Sequence, residues 1–237
     1  MSDAVQRKGD WFVTYTGKQF WPFDARVDDI CIEDIAHSLA LQTRWNGHCS
    51  TFYSIADHSV ACADIAYDQY RIISRAESTK DIWRWALMHD AAEAYIGDIV
   101  SPIKRYLLCA DRDSVTSYLE HDLVTVEGLV LPIKAVETRL LGLIAEKFGL
   151  PEGIPGAVHM IDRRMLVTEA LQLTNYNAEP DHWVKQKPWS DFEPYDVKLP
   201  MRSPVDAEAA FLEAFQRWFP RHRLNEKEVP HALHQKD

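Results

Sequence analysis

Apolar residues recur along most of the chain at intervals of three and four, the spacing that lines one face of an α-helix. In IEDIAHSLALQTRW the apolar positions are Ile32, Ile35, Ala36 and Leu39, and the pattern stops at the turn-forming pair Asn46-Gly47. Residues 52–75 carry a second helical stretch through Ile55, Val60, Ala63 and Ile65. A third helix is expected to start at a Thr79 cap, to turn Trp83, Ala86 and Leu87 inward, and to stop near Gly97. Pro102 marks a turn or the first turn of another helix. Further helices are predicted at about 111–130, 133–148 and 156–176, punctuated by Pro132 and by Gly149 and Pro151.

The two ends of the chain depart from this pattern. Residues 11–23, WFVTYTGKQFWPF, mix aromatics and threonines around Gly17 and predict a short hairpin or extended cover. Residues 177–205 contain Pro180, Pro188, Pro194, Pro200 and Pro204, which suits a long loop and not a helix. A last amphipathic helix is expected at about 206–219, with Phe211, Leu212, Phe215 and Trp218 on its apolar face, ahead of a polar tail at 221–237. No repeat or low-complexity tract occurs. The pattern reads as all-α: a single domain with its helical core at about 29–176.

Composition narrows the function classes. The 237 residues are 46% hydrophobic and 26% charged, the profile of a soluble chain with a packed core. Against 26 Lys and Arg stand 36 Asp and Glu, a net charge of −10. That balance argues against broad binding to nucleic acid, which needs a basic face, and still allows a small phosphorylated ligand. Cys31, Cys49, Cys62 and Cys109 form no CxxC pair, so free thiols in a reducing cytosol are expected. The opening MSDAVQRKGDW lacks the apolar core of a signal peptide, and no run of about 18 apolar residues suggests a membrane span. A cytoplasmic protein without membrane contact is the expectation. A P-loop, a GxGxxG turn and a GxSxG elbow are all missing from the sequence.

What stands out is histidine beside acid in helical surroundings. LMHDAAEAYIGD, residues 87–98, places His89, Asp90 and Glu93 on a predicted helix, with Asp98 just beyond Gly97. Glu93 follows His89 by four residues, so one helix face would carry both. Burying these groups is costly unless they are paired or bound to metal, and imidazole with carboxylate is a natural ligand set. SIADHSV supplies His58 and VHMIDRRM supplies Asp162, both in apolar helical stretches. Two histidines and two carboxylates would leave open positions on a divalent metal for water and substrate, the arrangement that activates water and polarises a phosphoryl oxygen. The other histidines have plainer readings. His121-Asp122 follows Glu120 in a solvated stretch. His37, His48 and His159 read as packed or hydrogen-bonded, and His182, His222, His231 and His234 as solvent-exposed in loop or tail.

The order His58, His89-Asp90, Asp162 resembles the HD-domain metal-dependent phosphohydrolases. RWNGHCSTFYSIADHSV, ALMHDAAEAYIGDIVSPIK and MIDRRML resemble the bacterial and phage branch that holds 5′-deoxynucleotidases and enzymes that strip phosphate from dATP. The likeness spans about residues 29–169. It implies a compact helical fold around one divalent ion, of Co, Mn, Zn, Fe or Mg, with His58, His89, Asp90 and Asp162 as metal ligands. Glu93 and Asp98 match acids beside the metal that act in proton transfer and in positioning the attacking water. Arg44 and Trp45 match a pair that sits over the substrate, and Lys104 of SPIK matches a phosphate contact. The implied substrate is a deoxynucleoside monophosphate or a triphosphate such as dATP, and relatives are often multimeric, so a homo-oligomer is one option. Hydrolysis of a cyclic or signalling nucleotide, or a degenerate nucleotide-binding module, are the alternatives. Asp57 stands where related chains carry Glu or Gln and is assigned no catalytic role. Arg163 and Arg164 are expected to form salt bridges, with contact to phosphate as the second option.

Overall fold

The computed structural model describes residues 7, 9–73, 76–110, 130–175 and 183–222. It is mostly helical. Strands β1 (Phe12–Val13) and β2 (Gln19–Phe20) form the expected hairpin, with Phe12 opposite Phe20 and a turn at Gly17, whose φ of 84° suits glycine. Helix α1 (Ile32–Leu41) follows a short 3₁₀ turn, and α2 (Ile55–Tyr70) starts where the Ser54 hydroxyl accepts the Asp57 N–H at 3.0 Å. Next come α3 (Glu77–Met88), α4 (Glu93–Ile96) and α5 (Ser101–Lys104), with Pro102 in the first turn of α5. Strands β3 (Leu108–Ala110) and β4 (Val130–Pro132) pair antiparallel. Helix α6 (Ile133–Phe148) ends at Gly149 in the left-handed region, α7 (Gly156–Leu173) follows Pro155, and α8 (Pro204–Trp218) begins at a Ser203 cap.

α2 lies at the centre and packs on α1, α3, α7 and α8. Ala56, Ala63 and Ala66 on α2 are fully buried, and their small side chains let the neighbouring helices close in. α3 adds Trp85, Ala86 and Leu87, α6 adds Leu140 and Ile144, and α8 adds Phe211 and Phe215. No helix among the described residues is long and apolar enough to cross a membrane.

Several expected boundaries move. α3 begins at Glu77, so Thr79 lies inside its first turn and is not its cap. The helix also ends at Met88 and does not run on to Gly97. Between Pro180 and Pro204 the described residues form two 3₁₀ turns, Trp183–Lys185 and Trp189–Asp191, and Trp183 and Trp189 meet edge-on at 5.3 Å. Val130 belongs to a strand, where a helix at about 111–130 was expected; the rest of that helix lies outside the described residues, as do His121, Asp122, His182, His231 and His234. His37 is hydrogen-bonded as expected, its Nδ1 at 2.9 Å from Glu208, whereas His48 and His159 are exposed. His222 is half-buried against Phe148 and Phe219, not free in solvent, and burial lowers its pKa.

Candidate metal centre

Three elements converge on one point. α2 brings His58 and Cys62, one turn apart on the same face and both buried. α7 brings Asp162 and Glu169, seven residues apart and so on one face two turns along. His89 and Asp90 come from the turn that ends α3. The α3 helix breaks because His89 bonds its own chain: Nδ1–H donates to the Ala86 carbonyl at 2.8 Å, an acceptor the helix would otherwise use. The following N–H groups then bond three residues back, Ala91 to Met88 at 3.0 Å and Glu93 to Asp90 at 2.9 Å. This tighter winding turns both His89 and Asp90 toward His58. The helical i,i+4 relation expected between His89 and Glu93 is replaced by this turn.

The donor atoms face one another. His58 Nε2 and His89 Nε2 are 3.2 Å apart. Asp162 Oδ1 is 3.3 Å from the first and 3.8 Å from the second. Asp90 Oδ2 is 3.6 Å and 3.4 Å from the same nitrogens. Each imidazole commits its Nδ1–H elsewhere, His58 to Glu169 Oε1 at 2.6 Å and His89 to Ala86, which leaves both Nε2 lone pairs aimed into the gap. Two lone pairs at that distance repel unless a proton or a cation stands between them. A cation about 2.1 Å from each nitrogen separates adjacent ligands by roughly 3–3.5 Å, and the donor atoms here stand 3.2 to 3.8 Å apart. His58, Cys62 and His89 offer atoms within 4.8 Å of one another, a buried group able to hold a metal ion. The Cys62 sulfur lies against the His58 ring, 3.6 Å from Nε2 and 4.0 Å from Nδ1, and burial pushes its thiol pKa up.

The charges leave the same gap. Arg44 is largely buried and stands among Glu169, Asp90, Asp162 and Asp98, so one positive charge meets several carboxylates. The excess negative field draws protons onto the rings when nothing else fills the space. Burial opposes a charged His58, yet Cys62, Glu169 and Asp162 outweigh it and raise its pKa well above the ordinary imidazole value. His89 is likewise opposed by burial and raised, by Asp90 and Asp162.

Two acids flank the centre. Glu93 is buried; Lys104 Nζ donates to its Oε1 at 3.2 Å, while Oε2 is buried with no hydrogen-bond partner. Burial, then the charges of Asp90 and Asp98, raise Glu93 well above the usual carboxyl range. Burial also raises Asp98, near Arg44 and Asp90. Gln42 ties both ends of this segment to α1: its Nε2 donates to the Glu93 carbonyl at 3.0 Å and its Oε1 accepts the Asp98 N–H at 2.9 Å.

The residues expected over the substrate divide. The Arg44-Trp45 turn holds Trp45 and Asn46 at φ of 59° and 51°, a left-handed conformation costly for a bulky side chain. The turn sends Arg44 into the carboxylates and Trp45 against Trp183, 5.9 Å away, beside Val167, Ala170 and Val184. Lys104 sits between Glu93 and Glu137, the latter at 3.3 Å. Arg163 and Arg164 pack over the rings of Phe192 and Tyr195, at 5.9 and 4.0 Å, and among the described residues neither forms the expected salt bridge; Arg164 also donates to the Glu193 carbonyl. Asp57, which precedes His58 on α2, binds Arg202 at 2.6 Å.

Sequence reasoning missed Glu169, Gln42, Glu137 and Cys62. Periodicity held a clue for two of them. Glu169 repeats the face of Asp162 seven residues on, and Cys62 repeats that of His58 four residues on. Gln42 and Glu137 act through contacts between elements distant in sequence, which no local pattern encodes.

No family model matches the chain. It is similar to an Escherichia coli K12 protein named uncharacterized protein YfdR, with 34% identity over 160 residues, 68% of this chain and 70% of that one. It is also similar to the uncharacterized protein RCAP_rcc00048 of Rhodobacter capsulatus, with 28% identity over 215 residues, 86% of this chain and 93% of that one.

Proposed function

The chain belongs to the same family as the Escherichia coli protein YfdR, and we propose that it is a cytoplasmic, metal-dependent phosphohydrolase of deoxyribonucleotides, of the HD-domain kind. The observation that carries this reading is the convergence of four donor atoms, from His58, His89, Asp90 and Asp162, beside a buried carboxylate oxygen of Glu93 that has no partner. The excess of carboxylate charge at the centre favours a divalent ion. Bound there, such an ion would supply a polarised water and a counter-charge for phosphoryl oxygens.

The chain's own residues supply the rest. Glu93 Oε2 is buried without a hydrogen-bond partner, and burial with the charges of Asp90 and Asp98 favours its protonated form, which suits a group that holds a proton beside the ligands. Lys104 fixes the other oxygen of Glu93, so Oε2 keeps one direction. Asp98, held through its backbone by Gln42, is a second proton-holding carboxyl within the same field. Asp162 has the most exposed side chain of the four ligands, 37% against 17% for Asp90, which favours substrate entry from the α7 side. The unbridged thiols of Cys49 and Cys62 suit a reducing cytoplasm.

The test is phosphate or polyphosphate release from a panel of deoxynucleoside mono- and triphosphates, with Co, Mn, Zn or Mg restored after chelation. Metal-dependent release from monophosphates is expected for a nucleotidase, and release from triphosphates alone for a triphosphate hydrolase. Silence across the panel with every metal overturns the reading.

A further inference from the structure

Arg44 and Lys104, the two cations that the resemblance puts at the substrate, are both held by carboxylates, and for Arg44 the partners form a closed ring. His58 Nδ1 donates to Glu169 Oε1 at 2.6 Å. Glu169 Oε2 accepts from Arg44 Nη2 at 3.0 Å and from Nε at 3.3 Å. Arg44 Nη1 stands 3.7 Å from Asp90 Oδ2, which in turn lies 3.6 Å from His58 Nε2. The ring joins helices α2 and α7, the turn after α3 and the Arg44 turn. Glu169 is fully buried and Arg44 nearly so.

We propose that Glu169 and Arg44 are positioning residues that act as one unit on the metal centre: Glu169 orients the His58 ring, and Arg44 orients Glu169 and Asp90 together. Glu169 fixes the His58 tautomer, so that Nε2 and not Nδ1 faces the gap. Arg44 neutralises Glu169 and, through its planar fork, sets the direction of that carboxylate. Lysine in its place keeps the charge but loses the fork. The left-handed backbone at Trp45 follows from this demand, since the turn must aim Arg44 inward while Trp45 packs the other way. Arg44 is thereby committed to the protein before any substrate arrives. The inference rests on the metal site of the proposed function and not on its substrate.

Metal affinity, read without nucleotide, tests it. Apo protein would be titrated with Co(II) or Zn(II) against a competing chelator, and the visible spectrum of the Co(II) form recorded. Glu169→Gln is expected to weaken metal affinity by about ten- to a hundredfold, the usual effect of losing the partner of a ligating histidine. Arg44→Lys should weaken it several-fold and change the Co(II) spectrum. The double variant should be no weaker than Glu169→Gln alone, because residues that act as a unit are not additive. Should Glu169→Gln fail to fold, Arg44→Lys still decides the matter. A folded variant with unchanged affinity and an unchanged Co(II) spectrum overturns the proposal, as does strict additivity in the double variant. Absence of phosphatase activity would sink the proposed function and leave these outcomes readable.

Discussion

Two regions of this molecule bury clusters of acids, and they are closed differently. At the start of α1, Asp34 accepts the Thr16 N–H at 2.7 Å and the Thr16 hydroxyl at 3.1 Å. Beside it Glu33 accepts the Cys31 thiol at 2.9 Å, and Glu208 meets His37 Nδ1 at 2.9 Å, with the His37 ring stacked on Tyr15 at 3.5 Å. Each of these acids finds a protein donor, and the hairpin, α1 and α8 are tied together as a result. At the other region, His58, His89, Asp90 and Asp162 aim acceptors at one another across a gap, and Glu93 keeps an oxygen with no partner. Burial of charge is common to both. The difference lies in whether the protein alone completes the hydrogen bonding, and an incomplete set marks the place where something from outside belongs.

Breaking the open cluster should abolish function while leaving the closed one intact. His89→Ala or Asp90→Ala is expected to lose bound metal and to reduce turnover by about a thousandfold or more, as when one member of a unit is removed; metal analysis and phosphate release on the same sample check this. Glu93→Gln should keep the metal and lose about a hundred- to ten-thousandfold in kcat. Full activity in that variant would remove Glu93 from the proton-handling role. Chelation should lower stability by about 2.7 kcal/mol relative to protein with metal at a hundred times its Kd, seen as a fall in Tm that added metal reverses. The closed cluster should answer in the opposite way. Asp34→Ala is expected to cost about 1–3 kcal/mol of stability, since it leaves the Thr16 donors unpaired, with metal affinity unchanged. A change in metal affinity there would show that the two regions are coupled.

The helices were legible because each carries its own pattern. The stretch 133–148 was readable to the residue, since Pro132 precedes it and Gly149 ends it in a conformation that glycine adopts without cost. The end of α3 was not, because the residue that stops it is a histidine whose side chain takes a helix carbonyl, and propensity does not register that choice. The four ligands of the proposed centre were legible as residue types at suggestive positions. Their partners were less so. The resemblance puts Arg44 and Lys104 at the substrate, and the fold pairs them with Glu169, Glu93 and Glu137. A sequence shows that a cation is present and does not show which carboxylate reaches it first.

By itself the sequence determined the all-α class, the places of most of the long helices and the identity of the imidazoles and carboxylates, since these follow from local periodicity, capping and composition. Only the tertiary structure decided that His58 and His89 meet through Nε2, that Glu169 and Arg44 stand behind them, and that Trp45 turns away. Those outcomes depend on distances between α2, α7 and the turn after α3. Such distances are set by the packing of buried alanines, valines and aromatics far along the chain, where a shift of an ångström converts a ligand pair into a clash or a void.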